Sequence, residues 1–213
     1  MPKPPAEYPS HSLFAWAYSR VGSASDNRGA QGHRRQLLAG LRGNVVEIGA
    51  GNGLNFLHYP DTVTEVVAAE PEPYLRSEAE RVARSHRQVR VIDARAEAIP
   101  AGNASFDAAV TSLVLCSVPD PRLALAELKR VLRPGGELRF YEHVASHHRS
   151  LARLEGLATP LWSRMAAGCH LNRDTLAEIE AAGFVLEEVE RFYFGPIPLL
   201  PAVDHILGRA SRP

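Results

Sequence analysis

Short apolar runs recur through the middle of the chain, bounded by glycine, proline or polar residues and separated by segments of helical length. The runs at 45–48, 65–69, 89–92, 107–113 and 137–142 are rich in Val, Ile and Ala and too short for buried helices, so they read as five strands. Between them the polar pattern predicts a helix running to residue 57 after the first strand, then helices over 71–85 and 121–132. The turn Pro134-Gly135-Gly136 leads into the fifth strand. Alternation of this kind, with strands apolar on both faces, predicts a parallel sheet covered by helices on both sides.

The flanks follow other rhythms. Residues 1–12 are rich in Pro and Ser and read as a loose arm, while Phe14, Trp16 and Tyr18 mark a short helix over 13–21. The Gly, Ser and Asn content of 22–32 predicts a flexible loop, and 36–41 closes a further helix. After the fifth strand, Leu151, Leu154, Leu157, Leu161, Trp162 and Met165 recur at spacings of three and four. That spacing predicts an amphipathic helical lid across 147–170. A helix over 173–182 and two closing strands at 184–192 and 204–210 complete the chain. The expected organisation of the 213 residues is a single domain. It comprises an N-terminal arm with helices (1–42), a core (43–145), a helical lid (146–172), and a C-terminal helix with closing strands (173–213).

Composition narrows the function classes. The 24 basic residues, all Arg except Lys3 and Lys129, are balanced by 24 acidic ones. A nucleic-acid binder normally carries a basic excess, so a nucleic-acid partner is not expected. Two cysteines, Cys116 and Cys169, are too few for a disulfide framework and fit a reduced, cytoplasmic setting. The first residues, Met-Pro-Lys-Pro-Pro, lack the layout of a signal peptide, and no apolar run approaches the roughly 18 residues of a membrane span. Neither a leader nor a stable membrane anchor is expected.

The segment with most chemical content is Val45-Val46-Glu47-Ile48-Gly49-Ala50-Gly51-Asn52-Gly53, a strand running into three glycines at alternate positions. Glycines there permit a tight turn and close approach of a ligand to the backbone. The dinucleotide fingerprint spaces its glycines Gly-x-Gly-x-x-Gly and receives a pyrophosphate. Here the third glycine comes one residue early, and Glu47 would repel a pyrophosphate while suiting an ammonium or sulfonium. A plain strand-to-helix turn would use the same residues. Glu70 ends the second strand, where an acid can accept hydrogen bonds from ribose hydroxyls, although an acid there equally caps the helix that Pro71 opens. Ala96 and Glu97 follow the third strand, where an adenine edge could be read; Glu97 alone could be simply solvated. All three segments lie at the carboxyl ends of consecutive strands, where such sheets bind ligands.

These segments, with Ser105-Phe106-Asp107 and Glu127-Leu128-Lys129-Arg130-Val131-Leu132-Arg133-Pro134-Gly135-Gly136, resemble the class I S-adenosylmethionine-dependent methyltransferases over about residues 40–143. The similarity is to the branch of quinone C-methyltransferases and related small-molecule enzymes. Asn55-Phe56, Tyr59-Pro60, Leu113 to Val118, Tyr141-Glu142-His143-Val144 and Gly168-Cys169-x-Leu171-x-Arg173 further resemble the methyltransferase-like thiol S-methyltransferases, whose animal members carry an N-terminal anchor not seen here. The resemblance implies a Rossmann-like fold with a mostly parallel seven-stranded sheet, and S-adenosyl-L-methionine as cofactor. It implies that Gly49, Ala50, Gly51 and Gly53 wrap the methionine part, with Glu47 nearby and Asn55 helping to order the helix start. It further implies Glu70 on the ribose, Pro71 along the adenine, Ala96 and Glu97 at the adenine edge, and Leu113 near the methionine amine. Two positions depart from the pattern. Asn52 stands where the family has Thr or Ser, and Arg95 where many members have an adenine-reading Asp.

Methyl transfer from a sulfonium needs an aligned nucleophile and, where the nucleophile carries a proton, a base. Cys116, Ser117, Glu142, His143, His147 and His148 cluster after the fourth and fifth strands. His143 is the candidate base, since histidine titrates near neutrality; a backbone-bonded strand-end histidine is the alternative. Cys116 either abuts the transferred methyl or is a small core residue. His147-His148 has no third ligand at suitable spacing, so no metal is expected. A small, hydrophobic methyl acceptor is expected, with thiol S-methylation ahead of lipid or quinone methylation. An NAD-dependent oxidoreductase is disfavoured by the glycine spacing.

Overall fold

Successive apolar residues of each central strand enter opposite faces of one sheet. In the computed structural model, which describes residues 12–165, 168–195 and 202–213, Val46, Ile48, Val67, Ala109, Leu138 and Phe140 join one buried cluster. Val45, Val66, Ala68, Val110 and Tyr141 join another on the far side. Period-two alternation with both faces apolar is what a sheet covered on both sides requires.

The strands are β1 (Gly43–Ile48), β2 (Val63–Ala69), β3 (Val89–Ile92), β4 (Phe106–Ser112), β5 (Leu132–His143), β6 (Val185–Phe194) and β7 (Val203–Ser211). They lie in the order β3-β2-β1-β4-β5-β7-β6. β1 to β5 pair in parallel, and β7 runs antiparallel to both β5 and β6. The direction of chain progression reverses between β1 and β4, which opens a crevice at their carboxyl ends. This is the Rossmann-like, seven-stranded, mostly parallel arrangement that the sequence led us to expect.

The helices are α1 (Ser12–Ser25), α2 (Gln31–Leu38), α3 (Pro73–Ala83), α4 (Pro121–Val131), α5 (Arg149–Met165) and α6 (Thr175–Ala181). Carboxylates cap three of them. Glu72 accepts from Leu75 N, Asp120 from Arg122 N and Leu123 N, and Asp174 from Ala177 N, satisfying amide groups that a helix start leaves open. Pro73 and Pro121 sit in the first turn, where a missing N–H costs nothing.

Three expectations are corrected. The segment 22–32 is not a loop: α1 continues to Ser25 and a π-helical turn, Asp26–Ala30, leads into α2. Gly29, at φ 118°, absorbs the kink between the two helices. No regular helix follows β1. Turns lead to one 3-10 turn at Phe56–His58, because Pro60 and the start of β2 at Val63 leave no room for more. Helix α5 is also rotated relative to its apolar pattern, with Leu151 and Trp162 only half-buried. Leu154 and Leu157 are exposed, while Glu155 and Thr159 are buried. Glu155 accepts from Ser146 N at 2.8 Å and Thr159 Oγ1 bonds Glu155 O at 2.7 Å, and these polar partners fix the inward face. The expected loose arm lies outside the described residues except for Ser12, as do the side chains of Phe14, Trp16, Tyr18, Leu161 and Met165.

Candidate active site

The glycine turn follows β1 because a side chain cannot be accommodated there. Gly49 has φ 61°, and a Cβ on it would stand 2.5 Å from Val114 Cγ2 in the loop after β4. Gly51 has φ 58°, yet a Cβ there would meet nothing within 4 Å. So the first glycine seals the turn against its neighbour, while the second faces open space. Buried Ala50 anchors the turn by donating to Ala69 O at 3.1 Å, and Gly53 packs on Phe56. Helix α1 lies against the same turn: Asn52 Nδ2 reaches Ser19 O at 3.5 Å, and Gly22 packs near Leu54.

Glu47 is buried beneath this turn. Its Oε1 accepts from Asn55 Nδ2 at 2.7 Å and its Oε2 from Tyr59 OH at 2.8 Å. Burial pushes its carboxyl up to about 7, against the pull of the Tyr59 and Asn55 hydrogen bonds. Arg34, from α2, completes the network. Its Nη1 donates to Asn55 Oδ1 at 2.9 Å and to Ser112 Oγ at 3.2 Å, while its Nε pairs with Asp26 at 3.0 Å. Arg34 escaped sequence reasoning. It stands on a helix read only for its end, and no local spacing ties it to Asn55, 21 residues away.

Glu70 ends β2 and bridges two turns. Its Oε2 accepts from Gly51 N at 2.7 Å and its Oε1 from Glu72 N at 2.9 Å. Burial raises its carboxyl, and the two backbone donors oppose that rise. Pro71 follows, half-buried. Beyond β3, Arg95 and Ala98 form an isolated bridge that shapes a turn holding buried Ala96 and half-buried Glu97. Its next residue, Ile99, donates to Glu127 Oε1 at 2.7 Å.

The segment after β4 is held in an unusual conformation. Leu113 has φ 60°, which is uncommon for a side chain of its size. Its N–H donates to Tyr141 O at 2.7 Å, and fully buried Glu142 accepts from Val114 N at 3.1 Å and Cys116 N at 3.2 Å. These bonds offset the strain and keep the loop rigid. Burial raises the Glu142 carboxyl, although the backbone amides of Leu115, Val114 and Cys116 draw it down.

His143 closes β5 and is 3% exposed; its Nδ1 lies 3.6 Å from Cys169 Sγ. Its Nε2 is buried and has no hydrogen-bond partner among the described residues. His205 of β7 lies edge-on to its ring at 5.6 Å and stacks near Phe192 of β6. Cys116 is buried beside Ser117. The exposed pair His147 and His148 lies outside this arrangement, with His147 3.5 Å from Asp204. Among the described residues no group of three or more candidate metal ligands stands together.

Gly49 to Gly53, Glu70, the 95–98 turn, Leu113 to Ser117 and His143 therefore share the carboxyl edge of the sheet. The open face of Gly51 beside Glu70 fits a cofactor whose ribose needs an acceptor and whose main chain must approach backbone closely.

Comparison with known proteins identifies the family and the fold. A methyltransferase domain model matches residues 46–140. The chain is 33% identical to thiol S-methyltransferase TMT1B of Homo sapiens over 205 residues, covering 90% of this chain and 83% of that one. It is 39% identical to TMT1B of Mus musculus over 182 residues, covering 82% and 74%. The fold matches a solved S-adenosylmethionine-dependent methyltransferase of Thermotoga maritima with a TM-score of 0.69, at 24% identity, covering 94% of this chain and 97% of that one. No helix among the described residues is long and apolar enough to cross a membrane. The chain is an S-adenosylmethionine-dependent class I methyltransferase and belongs to the family of the TMT1 thiol S-methyltransferases.

Proposed function

We propose that this methyltransferase acts on the sulfur of a small thiol with an apolar body, at the sheet edge between the loop after β4 and the end of β5. The observation that carries the reading is His143, a buried histidine whose Nε2 has no partner, beside the rigid Leu113–Ser117 loop. The relatives named thiol S-methyltransferase support sulfur as the acceptor atom.

Bound S-adenosylmethionine supplies an electrophilic methyl on a sulfonium with a good leaving group. The chain has to bind the acceptor, exclude water and take a proton. A free thiol has a pKa of about 8.5, so only a few per cent is thiolate at neutral pH. His143 Nε2 takes that proton. Cys116 lies near the acceptor, and the rings of Phe192 and His205 give the apolar body a surface. On the cofactor side, Glu70 holds the ribose hydroxyls, Pro71 lies along the adenine, and Ala96 and Glu97 meet its edge. Gly49, Ala50, Gly51 and Gly53 surround the methionine part, and Leu113 borders its amine. Asn55 and Glu47 brace the turn from below. The balanced charge of the chain favours a small-molecule partner over a nucleic acid, and the reading places the reaction in the cytoplasm.

A panel of small thiols, phenols and amines with methyl-labelled S-adenosylmethionine tests this. Label should enter thiols, and His143→Ala should lower turnover by about 10²-fold or more while cofactor affinity holds. Labelling of phenols or amines with thiols untouched would overturn the acceptor assignment.

A further inference from the structure

The molecule's two cysteines are far apart in sequence and meet at the acceptor side. Cys116 lies in the loop after β4, and Cys169 follows α5. The segments that carry them are stitched together by backbone. His170 N donates to Cys116 O at 2.9 Å, and Arg173 Nη1 donates to Leu115 O and, at 2.9 Å, to Val118 O. Gly168 packs so tightly on Ser117 O that a Cβ would stand 2.9 Å from it. The His170 N–H bond to Cys116 O sets the residue next to Cys169 directly against Cys116, so the two cysteines are neighbours across this seam.

The surroundings of the two sulfurs differ in kind. Cys169 Sγ has His143 Nδ1 at 3.6 Å, while Cys116 Sγ has the Ser117 hydroxyl at 3.4 Å. A histidine ring nitrogen beside the sulfur favours a thiolate there. The neighbouring Cys116 thiol draws the Cys169 thiol well down despite burial, with His143 adding to the effect. Cys116 moves the other way, pushed up by the neighbouring Cys169 sulfur and by burial. Exposure separates them too, since Cys116 is 2% exposed and Cys169 is only partly covered.

We propose that Cys169 and Cys116 form a redox-active dithiol that reduces small organic disulfides, with Cys169 as the attacking sulfur and Cys116 as the resolving one. In the first step the Cys169 thiolate forms a bond to one sulfur of the disulfide, and the other sulfur leaves as a thiolate. In the second, the Cys116 sulfur bonds to Cys169, and its proton goes to the second departing sulfur. The small disulfide is thereby reduced to two thiols, and the protein pair is oxidised to one disulfide. The pairing requires a partly covered attacker beside a sheltered resolver, and Cys169 and Cys116 differ in exposure in that sense and are neighbours across the seam. It goes beyond methyl transfer and does not depend on which atom is methylated.

The test uses the full chain, reduced and freed of reductant, with hydroxyethyl disulfide as probe. After brief exposure the protein is quenched with N-ethylmaleimide and mapped by peptide mass spectrometry. The expected result is early modification of Cys169, followed by a Cys116–Cys169 disulfide and release of both halves of the probe as mercaptoethanol. Cys116→Ser should stop at a mixed disulfide on Cys169, and Cys169→Ser should react at least about tenfold more slowly. First modification at Cys116, a mixed disulfide that never resolves in the unmutated chain, or an undiminished rate in Cys169→Ser would each overturn the proposal. Site mapping in the unmutated protein decides the order of attack even if a variant folds poorly.

Discussion

Glu47→Gln isolates the cost of an ionised carboxyl buried beneath the cofactor turn. In the folded chain, burial lifts this group from its ordinary 4.5 to about 7. The folded state therefore binds a proton that the unfolded state has released between those two values. Its stabilising contribution is complete below pH 4.5 and is lost as pH rises through about 7. A shift of that size corresponds to about 3 kcal/mol. Glutamine is neutral throughout and keeps both contacts: its carbonyl accepts from Asn55, and its amide can donate to the Tyr59 hydroxyl. Urea unfolding at a series of pH values, with and without the substitution, gives the difference in stability directly. The variant should match the parent near pH 4.5 and gain on it by about 3 kcal/mol by pH 8. Taking the difference removes other titrations, such as that of His205, which burial lowers to about 4 and which acts with the opposite sign. A difference independent of pH would show that Glu47 is not the protonated buried group described.

Further substitutions separate bracing from binding. Gly49→Ala drives a methyl into Val114 and should destabilise the fold by about 2–4 kcal/mol in thermal or urea melts. Gly51→Ala meets no neighbour and should cost only about 1–2 kcal/mol of stability for its left-handed backbone. By calorimetry it should nonetheless weaken S-adenosylmethionine at least tenfold, and unchanged affinity would place the cofactor elsewhere. Glu70→Ala should lower cofactor affinity by about 1–3 kcal/mol, the scale of hydrogen bonds to a charged group. Retained affinity would move the ribose site.

What the sequence made legible was whatever a short window encodes. The strands stood out because Val45-Val46, Val66-Val67 and their counterparts are apolar on both faces, and the glycine turn because three glycines fall within five residues. Hidden features depended on distance in sequence. Arg34 gains its meaning from Asp26, Asn55 and Ser112, and Cys169 from Cys116 and His143. Local rules misjudged 22–32, because glycine reads as a loop former even when Gly29 is only a kink between two helices. They also misjudged the lid. Its leucines have helical spacing, but the amide of Ser146 and the side chain of Asn172 draw Glu155 and Thr159 inward. A hydrophobic pattern counts carbon and does not see an acceptor that a buried N–H requires.

Sulfur as the acceptor of the S-adenosylmethionine methyl group is the proposal on which the mechanism turns. Its most direct test is product analysis by mass spectrometry, using S-adenosylmethionine with a deuterated methyl group and a small alkyl thiol as the only acceptor. A deuterated methyl thioether should accumulate in equal amount with S-adenosylhomocysteine. Tight cofactor binding with no thioether formed from any thiol, while another class of acceptor is methylated, would contradict it.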